Sequence, residues 1–165
     1  MNLFLWGALP YIAFTFLIVG TLVRFFYFER NWTTKSSQFL EKKQLRIANP
    51  LFHFGLLCVI GGHVVGVLIP KTWTAAIGIN DHMYHQGALY MGAVAGLIFI
   101  VGFLLLMKRR FTVAELKVNT SRLDKWLYLF LTLAIFSGMA GTLLNASGFF
   151  DYRVSIGPWF RSLLA

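Results

Sequence analysis

Four uninterrupted stretches without Asp, Glu, Lys or Arg limit this chain to few folds: Met1–Val23, Ile47–Pro70, His82–Met107 and Trp126–Phe150. Each reaches the roughly 20 apolar residues that a helix needs to cross a bilayer. With 58% hydrophobic and 13% charged residues among 165, the chain also lacks the polar surface to cover a soluble core. The expected fold is all-α, a polytopic transmembrane helix bundle of four spans at about 3–27, 48–70, 84–107 and 125–146. An aromatic, weakly charged tail over 149–165 reads as an interfacial segment. No internal repeat or low-complexity tract is visible, so a single domain is expected.

A net charge of +9 suggests nucleic acid until the positions are read. Of the fifteen Lys and Arg residues, all but Lys71, Arg153 and Arg161 lie between spans one and two or between spans three and four. Basic residues in alternate loops mark the cytoplasmic side. That places the N-terminus, the Lys71–Asp81 loop and the tail outside, and excludes nucleic acid as the partner. Part of the excess charge is available to anionic lipid or a cytoplasmic partner.

Span one has no basic leader, begins with Leu3-Phe4-Leu5-Trp6, and shows no clear small-residue cleavage site. It reads as a retained helix rather than a signal peptide. Within the Glu29–Arg46 loop, Phe39, Leu40, Lys43 and Leu45 form a loosely amphipathic pattern that suggests a short interfacial helix. Asn49-Pro50 marks the start of span two, with proline in a first turn, and Pro70 closes it. Trp73 suits the headgroup region. Lys108-Arg109-Arg110 stops span three. Cys58, the single cysteine, is a small packing residue.

Span two carries the informative side chains, His53 and His63. An imidazole in hydrocarbon is costly without a partner, so ionisable residues inside spans are functional candidates. Neutral imidazole is also a good ligand for haem iron. Ten residues of helix rise about 15 Å and turn about 1000°, which leaves the two side chains about 80° apart. One haem cannot take both, whereas two haems at different depths can take one each. Gly55, Gly61, Gly62 and Gly66 thin the helix around them, where a flat macrocycle would approach; helix packing is the competing use for such residues. The absence of Cys-x-x-Cys-His makes the expected cofactors two haems of b type. His82 and His85, at i and i+3 on the outer edge of span three, share a face. Three readings stay open for them: interfacial residues, a quinol site near the outer haem, or an opposite axial ligand to the iron held by His63. No catalytic triad, metal-binding cysteine cluster or phosphate loop is present.

The run Trp32, Ser36-Ser37-Gln38, Leu40, Lys43, Leu51-Phe52-His53, Gly55, Gly62-His63 and Gly66 resembles the cytochrome b (gamma) subunit of respiratory membrane-bound nitrate reductase. Leu104-Leu105-Leu106 before Lys108-Arg109-Arg110 adds to it, and the resemblance covers most of the chain. It implies a five-helix cell-membrane protein of prokaryotes that binds two haems b. It further implies quinol oxidation near the outer face, with electrons passed to a cytoplasmic iron–sulfur (beta) subunit and a molybdenum (alpha) subunit. On this resemblance His53 holds the haem nearer the cytoplasm and His63 the haem nearer the quinol. On the same resemblance Gly62 and His63 line the quinol pocket, and Met83 stands about where the family can use a lysine, a role open to His85 or His82 beside that pocket; Gly55, Gly62 and Gly66 are the expected haem-packing residues. The family's other axial histidines lie on a fifth helix, so the apolar Ser162-Leu163-Leu164-Ala165 is expected to lead into a further span bearing two histidines. A haem-free transporter or membrane scaffold, and the cytochrome b anchor of a different quinol-linked reductase, are the alternatives. Transport is disfavoured because Pro10, Pro50 and Pro70 all fall near span ends.

Overall fold

A computed structural model describes residues 2–28, 39–149 and 151–164. The chain forms two compact units, one holding the first helix and the other everything after it. In the first unit a π-helical turn, Phe4–Ala8, runs into α1 (Leu9–Tyr27), giving one apolar helix of 24 residues. Asn2 Oδ1 accepts the Phe4 N–H at 3.1 Å. Pro10 sits just after the π-helical turn at the start of α1, and Arg24 lies in the last turn, where a cation favours the helix dipole.

The second unit contains α2 (Lys43–Leu68), α3 (Lys71–Ala76), α4 (Asp81–Thr112), α5 (Ala114–Val118), α6 (Arg122–Ala146) and α7 (Tyr152–Ser162). Among the described residues there is no strand, and four helices are long and apolar enough to span a membrane. Helices satisfy every backbone polar group internally, which hydrocarbon demands. Their outer surfaces are apolar: Leu57, Met91 and Phe136 are all strongly exposed.

Three boundaries differ from those expected. α2 begins at Lys43, so Pro50 lies inside the helix. Glu41 Oε1 accepts the Gln44 N–H at 2.8 Å and caps the helix upstream of the proline. Phe39 and Leu40 lie in a turn and Lys43 and Leu45 belong to α2, so these four residues do not form a separate interfacial helix, while Trp32 and Ser36-Ser37-Gln38 lie outside the described residues. α4 runs from an Asn80 cap, whose Oδ1 accepts the Met83 N–H at 2.8 Å, through the basic cluster to Thr112. Its 32 residues extend about 48 Å, more than the hydrocarbon thickness. Lys108-Arg109-Arg110 thus ends the apolar run without ending the helix. The tail is helical: after Gly148, whose φ of +73° suits a helix-terminating glycine, α7 forms and packs on α2.

The tightest packing lies between α2 and α4, which run antiparallel. A Cβ on Gly55 would stand 2.5 Å from the Phe99 nitrogen, and one on Gly102 would strike the backbone of Leu51 and Phe52. Two glycines therefore let the helices meet backbone to backbone, as small residues do in membranes. Phe52 fills the flank, with ring centroids 5.2 Å from Phe99 and 6.4 Å from Phe103.

At the basic end of α4, Arg109 is buried. Its Nε donates to Glu41 Oε2 at 2.7 Å and its Nη2 to the Glu41 carbonyl at 2.6 Å. One guanidinium therefore holds the residue that caps α2. The Gln44 N–H foremost, and Arg109 after it, keep the Glu41 carboxyl below its ordinary range. α6 opens on a capping box between Ser121 and Asp124, and Arg110 reaches Asp124 at 2.7 Å.

Two outcomes follow from this packing. Gly102→Leu is expected to destabilise the protein in detergent by about 1–3 kcal/mol, whereas Gly96→Leu, at a position with open space around it, leaves thermal unfolding nearly unchanged. Equal losses at both sites would show that the crossing is not set by glycine. Because the Glu41 carboxyl is depressed, its contribution is present at neutral pH and lost as pH falls through the folded value. Wild type should unfold at higher temperature than Glu41→Gln at pH 7, with the gap closing on acidification below about pH 4. A gap independent of pH would contradict this ion pair.

Candidate functional site

α2 orders both histidines in the same way. His53 Nδ1 lies 2.9 Å from the Asn49 carbonyl and His63 Nδ1 lies 2.7 Å from the Val59 carbonyl, each four residues back. A carbonyl only accepts, so Nδ1 carries the proton on both rings and Nε2 keeps its lone pair. This is how metal-binding histidines are usually held, with one nitrogen tied to an acceptor and the other free for the metal. Both rings are exposed on the helix surface. Phe52 meets the His53 ring edge-on, with centroids 5.1 Å apart.

Packing fixes where these rings sit. Two residues separate His53 from Gly55, about 200° of helical turn, so His53 lies away from the face that meets α4. His63 stands three residues before Gly66, on the side near α7, and about 15 Å along the axis from His53. The rings occupy separate depths and separate azimuths.

The glycines divide. Gly61 and Gly62 border open space; Gly62, about 100° around the helix, adjoins His63, whereas Gly61 lies on the opposite side of the helix. Gly55 and Gly66 border no such space: the room beside Gly55 is filled by the Phe99 backbone, and a Cβ on Gly66 would come within 3.0 Å of the Tyr152 ring. For these two, helix packing replaces the expected contact with haem.

His85 is half-buried and His82 exposed in the first turns of α4. The antiparallel register sets Gly55 against Phe99, which puts His63 level with about Met91. His85 is then six residues further out, about 9 Å along the axis. The structure therefore does not bring His85 into the same layer as His63, and Gly62 is the expected pocket residue that shares its level.

A polar cluster near His85 escaped the reading of the sequence. Arg153, buried, lies over the Tyr84 ring at 3.7 Å from its centroid and donates to Thr74 Oγ1 at 3.1 Å and Asp81 Oδ1 at 3.4 Å. Lys71 Nζ bridges Asp81 and Asp151 at 3.2 and 3.3 Å. Arg161 Nη1 donates to the Val67 carbonyl at 2.7 Å, capping the end of α2. Burial foremost, and then the charge of neighbouring Tyr84 and hydrogen bonding with it, push the Tyr152 phenol up to about 12. The signal was present: the few charges on this side of the chain include both signs and flank the span ends. The same holds for Glu41 and Arg109 at the other end.

Comparison with known proteins places this geometry. Residues 2–165 match the family described as nitrate reductase gamma subunit. The chain is 44% identical over 161 residues to the nitrate reductase gamma chain of Bacillus subtilis, covering 97% of this chain and 72% of that protein. It is 40% identical over 161 residues to the nitrate reductase-like protein NarX of Mycobacterium tuberculosis, covering 96% of this chain but 25% of that protein. With the respiratory nitrate reductase 1 gamma chain of Escherichia coli the identity is 31% over 124 residues, covering 75% of this chain and 55% of the relative.

Proposed function

The chain belongs to the nitrate reductase gamma subunit family, and from that footing we propose that it is the membrane-anchored dihaem cytochrome b subunit of a nitrate reductase. In this reading it oxidises quinol and passes electrons to a cytoplasmic iron–sulfur (beta) subunit and molybdenum (alpha) subunit. The observation that supports it is the pair of identically tethered histidines on α2, each with Nε2 turned outward at its own depth. Haem iron, when bound, supplies one-electron transfer at each level.

The chain's own residues do the rest. The Asn49 and Val59 carbonyls fix the tautomer and orientation of the two rings and raise the basicity of Nε2. α2, pressed onto α4 through Gly55 and Gly102, holds the two levels apart. Gly62 leaves open space beside His63 for a flat ring. His53 and His63 would each hold one haem, while His82 and His85 both sit at one end of α4. His85, half-buried in the first turns of α4, is the candidate acceptor for a quinol proton, since imidazole exchanges protons near neutrality. The end bearing Lys108, Arg109 and Arg110 faces the cytoplasm by the distribution of basic residues. It is the side on which the beta and alpha subunits dock. The setting is the cell membrane of a prokaryote.

Haem content tests the ligands. In the assembled complex, His53→Ala and His63→Ala should each lose one b-type haem, a different one in each case, by reduced-minus-oxidised spectra and haem extraction. Wild-type haem content in either variant would remove that ligand. His85→Phe is expected to slow quinol-driven turnover by about 10²-fold or more with haem content unchanged. Unaltered quinol oxidation would take His85 out of the reaction.

A further inference from the structure

α7 reaches the His63 end of α2 by two contacts and is tied to α3 and α4 by a third residue. The Tyr152 ring lies on Gly66, so close that a methyl group there would stand 3.0 Å from it. Arg161 Nη1 caps the Val67 carbonyl at 2.7 Å. Arg153, beneath these, ties the start of α7 to Thr74, Asp81 and Tyr84. Gly66 is one turn beyond His63 on nearly the same face. At the opposite end α2 is held by other groups, Glu41 and Arg109. The two ends of the helix are thus secured separately.

From this we infer that α7 seals and positions the His63 site, with Tyr152 as the positioning residue, and has no such role at His53. The inference rests on His63 holding haem, as proposed above. An apolar ring closing the end of α2 keeps water from that level. Water stabilises the more highly charged oxidised iron, so a sealed site has the higher potential; burial is one of the means by which a protein tunes haem. His53 lies about 15 Å away along the axis, beyond the reach of this seal.

The test is a redox titration of the assembled complex that follows both haems, each identified by its loss in His53→Ala or His63→Ala. Tyr152→Ala should lower the midpoint potential of the haem that His63→Ala removes and leave the other unmoved. Tyr152→Phe, which keeps a ring on Gly66 but loses the hydroxyl, should restore the wild-type value. Where Tyr152→Ala fails to assemble, Gly66→Ala asks the same question by displacing the ring, with the same selective shift expected. Unchanged potentials, or equal shifts of both haems, would overturn the inference. A His63→Ala complex that retains both haems would instead overturn the ligand assignment on which it rests.

Discussion

The close approach of α2 to α4 is the contact on which the remaining arrangement depends. In hydrocarbon there is no hydrophobic drive to bring helices together, so association relies on packing and on polar groups at the ends. Gly55 against the Phe99 backbone and Gly102 against that of Phe52 let the two axes draw near enough for extended contact. With that face of α2 committed to α4, His53 is left on the far side. The orientation of the helix that carries both histidines is thereby decided by residues that carry no chemistry.

Charge then fixes the ends. Arg109 is buried at one end of α4, yet it binds both the carboxylate and the carbonyl of Glu41, and Glu41 in turn caps α2. At the other end Arg161 takes the Val67 carbonyl, and Arg153 gathers Thr74, Asp81 and Tyr84. A buried cation without such partners would be strongly unfavourable. These sites therefore tolerate little change in register, and α2 is held in depth as well as in azimuth. A helix fixed in both respects suits two ligands that must stand at different levels.

Much of this was legible in the residues. The charge-free stretches mark four helices because a bilayer sets a minimum apolar length, and two histidines inside one of them stand out because hydrocarbon penalises imidazole. Helix ends were less legible. Pro50 resembles a helix start, but Glu41 supplies a cap upstream and the helix accommodates the proline in its interior. Gly55, Gly62 and Gly66 are alike in sequence and differ only through their neighbours: Phe99, open space and Tyr152. Arg109, Arg153 and Arg161 were counted as charge and not as partners, because hydrogen bonds between residues 68 to 94 positions apart leave no local pattern.

What unites these features is an α2 that carries two tethered imidazoles at separate levels, where the proposed function puts planar groups. A density map of the assembled complex in lipid addresses this directly. Macrocycle density against Nε2 of His53 and, at another depth, against Nε2 of His63 is the result this account requires. A map in which either ring meets only acyl chains or a neighbouring helix would contradict it.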